Sequence, residues 1–129
     1  MALPTDFRYT KEHEWIHVDG ETGVIGITDY AQHSLGDIVY VEAPQAGSTI
    51  TAGESFGTVE SVKAVSEIYA PVTGTVLEVN QNLANSPELV NSEPYTGGWL
   101  IKVKLSDPDQ VKGLLTAADY DAFIAAEKE

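Results

Sequence analysis

Short apolar runs recur along this chain, alternating with polar residues or rich in β-branched side chains, and Gly, Pro, Asn or Asp ends each within a few residues. A period of two marks half-buried strands, and turn signals this closely spaced point to an all-β sandwich or barrel. The pattern predicts strands at residues 14–18, 24–27, 38–42, 56–62, 65–69, 74–79 and 99–105. Asp19-Gly20 supplies the turn between the first two. Two stretches break the rhythm: 29–35, closed by Gly36 at C′, and 107–112, with Pro108 at N1 and Gly113 beyond. Both predict short helices. Thr116, followed by Asp119, resembles a capping box opening a C-terminal helix at about 116–127, with Leu115, Tyr120, Phe123 and Ile124 turned inward. The segment 80–94 reads as the longest irregular stretch, and the runs 36–41 and 74–79 echo each other weakly.

Length and composition narrow the function. A chain of 129 residues fits a single domain over 1–129. No apolar run approaches the roughly 18 residues of a membrane span. The start, Met1-Ala2-Leu3-Pro4-Thr5-Asp6, has neither the basic and apolar regions of a signal peptide nor an Arg-rich transit pattern. With no cysteine there is no disulfide, thiolate metal site or cysteine nucleophile, so a cytoplasmic location is the expectation. Seven basic against 20 acidic side chains give a net charge of −13. That disfavours nucleic acid and anionic membranes as partners and favours basic protein surfaces. A monomer is the expected state. The basic residues are Arg8, Lys11, Lys63, Lys102, Lys104, Lys112 and Lys128, so Lys63 is the only cation between Glu12 and Ile101. A lysine so isolated in acidic surroundings suggests a use for its amine.

Around it the chain reads Glu60-Ser61-Val62-Lys63-Ala64-Val65-Ser66-Glu67, mirror-symmetric about Lys63-Ala64. A hairpin with those two residues at its tip would set Val62 opposite Val65, Ser61 opposite Ser66 and Glu60 opposite Glu67. Lys63 would then project into solvent. The turn lacks Asn-Gly or Asp-Gly, and the facing glutamates repel.

The run Glu60-Ser61-Val62-Lys63-Ala64, followed by Ile68-Tyr69-Ala70-Pro71-Val72-Thr73-Gly74, resembles the lipoyl-attachment region of the glycine cleavage system H proteins. Further segments resemble that family in order: His13-Glu14-Trp15, Gly26-Ile27-Thr28-Asp29-Tyr30-Ala31-Gln32, Leu35-Gly36-Asp37-Ile38-Val39, Asn91-Ser92-Glu93-Pro94-Tyr95 and Gly97-Gly98-Trp99-Leu100. The resemblance implies a mainly β fold, a flattened barrel-sandwich hybrid of lipoyl/biotinyl type with short flanking helices and a C-terminal helix. It implies a non-catalytic carrier rather than an enzyme, with lipoic acid in amide linkage on Lys63. Glu60, Ser61, Val62, Ala64 and Glu67 would be the recognition residues around the attachment point, and Glu14 and Asp29 would belong to the cleft that shelters the loaded arm. The implied partners are a pyridoxal-phosphate glycine decarboxylase, an aminomethyltransferase, a dihydrolipoamide dehydrogenase and a lipoate-attaching enzyme. An H-like protein that relays lipoyl groups to other enzymes is the alternative. Glu12 stands where a serine can occur in the family, and Ser34 where a histidine can occur, with His33 beside it.

Two rival readings fail, one on geometry and one on its likeness to another carrier family. His13-Glu14-Trp15-Ile16-His17 fits the zinc-protease pattern H-E-x-x-H, which needs a helix to bring both imidazoles to one ion. Here the run leads through β-branched alternation into Asp19-Gly20, and in a strand the two histidines would lie ~13 Å apart. No metal site is expected. A biotin carrier typically has methionine on both sides of its lysine, whereas Val62 and Ala64 stand there.

Overall fold

The computed structural model describes residues 3–127; Met1, Ala2 and Lys128, named above, lie outside the described residues. Among the described residues nine strands form two antiparallel sheets. The larger takes β1 (Arg8–Tyr9), β2 (Glu14–Asp19), β3 (Thr22–Ile27), β9 (Ile101–Leu105), β8 (Gly74–Val79) and β5 (Thr49–Ile50), in that order across the sheet. The smaller takes β4 (Ile38–Glu42), β6 (Ser55–Ser61) and β7 (Val65–Tyr69). The fold is thus mainly β, as expected.

Alternation places one face of each strand in a shared core. Val59 of β6 and Ile68 of β7 meet Ile16, Ile25, Val76, Ile101 and Val103 of the larger sheet, and all are buried. Each such side chain contributes about 1.5–3 kcal/mol by leaving water. A second, aromatic cluster of Tyr9, Trp15, Tyr95 and Tyr120 packs with Phe7, Phe123 and Ile124. The Trp15 indole donates to the carbonyls of Ile27 (3.0 Å) and Pro94 (2.9 Å), which satisfies its polar edge.

Helix α1 (Asp29–Leu35) matches its expected span, capped by Thr28, whose Oγ1 accepts from the Ala31 amide. The segment after Ser106 is a 3-10 helix, Pro108–Gly113, with Asp107 as its cap. The C-terminal helix runs from Ala117 to Glu127. Its capping box forms: the Asp119 amide donates to Thr116 Oγ1 (3.2 Å) and the Thr116 amide to Asp119 Oδ2 (3.5 Å). Tyr120 is fully buried, and Leu115, Phe123 and Ile124 are partly so.

One expectation is corrected, and two features were not foreseen. The stretch 80–94 is not irregular throughout: it contains α2 (Asn82–Asn85) and α3 (Leu89–Ser92), single turns too short to show a helical period. Strands β1 and β5 were not expected, because two residues carry no alternation. The echoing runs 36–41 and 74–79 fall in different sheets, the first entering edge strand β4 and the second forming interior strand β8.

The lysine turn and its surroundings

The hairpin of β6 and β7 does not follow the mirror. Glu60 pairs with Val65, Val59 with Ser66 and Thr58 with Glu67, two places out of the expected register. The tip is therefore Val62-Lys63, closed by Ser61 and Ala64, with the Ser61 amide donating to the Ala64 carbonyl at 2.8 Å. The Ser61 hydroxyl favours this centre over the symmetric one. Its oxygen accepts from the amides of Lys63 (3.3 Å) and Ala64 (3.0 Å), so the turn closes without Asn-Gly. Neither Val62 nor Lys63 has a positive φ. The shift also moves Glu67 from directly opposite Glu60 to a diagonal place, which lessens the repulsion expected between them. Ser61 is buried as the brace of the turn, while Val62, Lys63 and Ala64 are exposed.

A second brace comes from the loop between α1 and β4. The Val62 amide donates to the Asp37 carbonyl at 3.0 Å. The Lys63 stem lies over Gly36, where an added Cβ would sit 3.4 Å from Lys63 Cε. Gly36 has φ +84°, so glycine meets both the backbone and the space requirement. Asn91 of α3 holds that loop from behind. Its Oδ1 accepts from the Ile38 amide (2.8 Å), and its Nδ2 donates to the Gly36 carbonyl and to Gln32 Oε1 (both 2.9 Å). Among the described residues Lys63 makes no ion pair.

Glu14 is 1% exposed. Its Oε1 accepts from Thr10 Oγ1 (2.5 Å) and its Oε2 from the Tyr69 amide (3.1 Å). Burial pushes its pKa up to about 7, opposed by these two hydrogen bonds and reinforced by the Glu12 charge. Asp29 stands elsewhere, at the start of α1, where its Oδ1 accepts from Gln32 Nε2 (2.8 Å) and lies 3.5 Å from His33 Nδ1. Asp29, Tyr30, His33 and Ser34 line a groove of about 850 Å³ between α1 and the C-terminal helix. A smaller cavity of about 320 Å³ touches Thr10, Glu12 and Ala70. Neither has Lys63, Glu14 or Glu67 in its walls. Glu67 is exposed, 3.5 Å from the Tyr69 hydroxyl. Glu14 and Asp29 are thus not brought to one cavity.

The H-E-x-x-H residues also separate. His13 Nδ1 is 2.8 Å from the Tyr120 hydroxyl and its ring packs on Tyr30, whereas His17 stacks on Phe7 and faces Asp6 at 3.3 Å. Glu14 opens strand β2, and among the described residues no cluster could hold a metal.

Residues 7–127 match the glycine cleavage H-protein family. The chain belongs to that family. It is similar to the glycine cleavage system H proteins of Acidobacterium capsulatum, 57% identical over 98% of both chains, and Carboxydothermus hydrogenoformans, 54% identical over 99% of this chain and 98% of the other. A crystal structure of a glycine cleavage system H protein from Mycobacterium marinum superposes with a TM-score of 0.86, at 40% identity, over 93% of this chain and 97% of that one. The H-protein likeness seen in separate segments therefore extends through the whole fold.

Sequence reasoning missed Asn91, Thr10 and the Asp37 carbonyl as supports of this H-protein site. Asn91 lies in a segment that resembles the family, but an amide bridging 55 residues to Gly36 has no local signature.

Proposed function

We propose that this chain is the lipoyl carrier of a glycine cleavage system, with lipoic acid in amide linkage on Lys63 Nζ. It would take the methylamine group of glycine from the pyridoxal-phosphate decarboxylase to the aminomethyltransferase and then be reoxidised by dihydrolipoamide dehydrogenase. The observation that carries this reading is the exposed Lys63, with no ion-pair partner among the described residues, on a turn fixed by Ser61 and Asp37. An amide suits this position, because acylation removes the positive charge without breaking a contact, and the stem on Gly36 leaves the amine accessible. When bound, the dithiolane supplies the disulfide and dithiol chemistry that a chain without cysteine lacks. The protein's own part is to present the tethered group to successive active sites at high effective concentration.

Glu60, Val62, Ala64 and Glu67 flank the amine as exposed recognition residues, while Ser61 acts through the turn's shape. Of the two cleft residues, Asp29 borders the groove beside α1. Glu14 is 1% exposed, so it would meet the ammonium of a loaded arm only if the residues that cover it move.

Coexpression with a lipoate-attaching enzyme and lipoic acid, followed by intact mass and peptide mapping, tests the reading. One lipoyl group on the Lys63 peptide, absent from Lys63→Arg, is the expected result. An unmodified Lys63 beside a modified control protein would overturn it.

A further inference from the structure

We infer that the outer face of the β4–β6–β7 sheet docks the enzyme that acylates Lys63, through a surface on that enzyme with an apolar centre and a basic margin. The inference rests on Lys63 being the attachment point. An antiparallel sheet with one solvated face carries polar residues outward, and this face adds large apolar ones near the lysine turn. Tyr40, Glu60 and Val65 oppose one another in a single row across the three strands, so their side chains share a face. Tyr40 is 56% and Val65 65% exposed. Val62 at the turn and Val39 at the bulge beside Tyr40 are exposed by 70% and 48%. These are four of the five large apolar side chains exposed among the described residues, and all lie within this one corner. Scattered exposed apolar residues need no explanation, but a cluster beside a reactive amine does.

The margin decides what covers it. Glu60 interrupts the apolar row, and Glu42 and Glu67 occupy the same face two residues further from the tip, paired through Thr58. All three glutamates are exposed. A second copy of a chain with net charge −13 would set acid against acid, and anionic lipid would be repelled likewise. A protein surface rimmed by Lys or Arg fits the rim and buries the apolar centre. An enzyme that forms a bond to Nζ must bring its own active site into contact with the turn, so it covers the neighbouring Val62, Val65 and Tyr40. An enzyme that works at the far end of a long arm need not. Recognition therefore extends beyond the hairpin to β4, which lies more than 20 residues earlier in the chain.

The test is steady-state lipoate attachment by a purified lipoate-attaching enzyme, varying the carrier. Wild type is compared with Tyr40→Ser, Val65→Thr and the control Leu77→Ser, a 49% exposed apolar residue in the larger sheet. Val65→Thr keeps a β-branched residue in the strand, so folding is not at issue. The expected result is a loss of about tenfold in kcat/KM for each sheet variant, carried by KM, with Leu77→Ser unchanged and wild-type KM rising with salt. Wild-type rates in both sheet variants would overturn the docking surface while leaving the attachment reading intact. A wild-type chain that takes no lipoyl group overturns both. A concentration-dependent dimer that Tyr40→Ser disperses would assign the face to a second copy and overturn the inference.

Discussion

Replacing Glu14 by Gln should flatten the pH dependence of stability across neutrality. The carboxyl is buried and its pKa rises from 4.5 to about 7 on folding, so the folded chain binds this proton more tightly than the unfolded one. For a raised pKa the stabilisation is complete below 4.5 and is lost as pH climbs through 7. At about 1.4 kcal/mol per pH unit, roughly 2–3 kcal/mol should disappear between pH 5 and pH 8. Gln reproduces the neutral form: its oxygen can accept from the Tyr69 amide while its NH2 donates to Thr10 Oγ1, the two partners that hold the carboxyl now. The variant therefore keeps the contacts and loses the titration.

Urea unfolding of wild type and Glu14→Gln at both pH values isolates this effect, since every other group cancels in the difference between the proteins. The variant should be the more stable of the two at pH 8 and close to wild type at pH 5. A gap of the same size at both values would refute the reasoning. The matter bears on the site because Tyr69 ends β7, and the other end of β7 carries the lysine turn.

Other consequences follow from the same contacts. Asn91→Ala removes three hydrogen bonds and should cost about 2–3 kcal/mol; hydrogen exchange at the Val62 amide should quicken more than at Ile25, and equal changes at both would count against the brace. At Gly57 a Cβ would strike the Glu42 carbonyl across the β4–β6 pairing, so Gly57→Ala should destabilise by about 1–3 kcal/mol in thermal unfolding, and an unchanged midpoint would show that β4 yields freely. If Glu14 does pair with the loaded arm, Glu14→Gln should hasten hydrolysis of the methylamine-loaded form without reducing lipoylation, and an unchanged hydrolysis rate would remove Glu14 from that role.

The legible part of the fold was the part governed by nearest neighbours. Strands 38–42, 65–69 and 74–79 and helix 29–35 were read to the residue, because alternation, the Thr28 cap and Gly36 all act within a few positions. Lys63 stood out for its isolation in charge and for the family-like run around it. What escaped depended on partners distant in sequence. Strand β1 exists because Tyr9 bonds to Leu115 on one side and lies opposite Trp15 on the other, and β5 because Thr49 and Ile50 meet β8. The hairpin register departs from the mirror for a related reason: the symmetry points to a Lys63-Ala64 tip, but the Ser61 hydroxyl and the Asp37 carbonyl hold the turn one residue earlier, and neither is visible as pattern.

The same division explains how an amine can be both free and fixed. A lysine side chain loses up to about 2 kcal/mol of rotamer entropy when immobilised, and holding Nζ itself would occupy the donor the proposed carrier role needs. The constraint is placed one step back. Ser61 sets the turn, Asp37 holds Val62, and Asn91 holds the Gly36 and Ile38 backbone that supports Asp37. The aliphatic stem rests on Gly36, while the nitrogen has no ion-pair partner among the described residues. For a group that several active sites must find in turn, a fixed origin with a mobile end keeps the search local. That is why the supports of Lys63 lie in α3 and in the loop between α1 and β4 rather than in the hairpin alone.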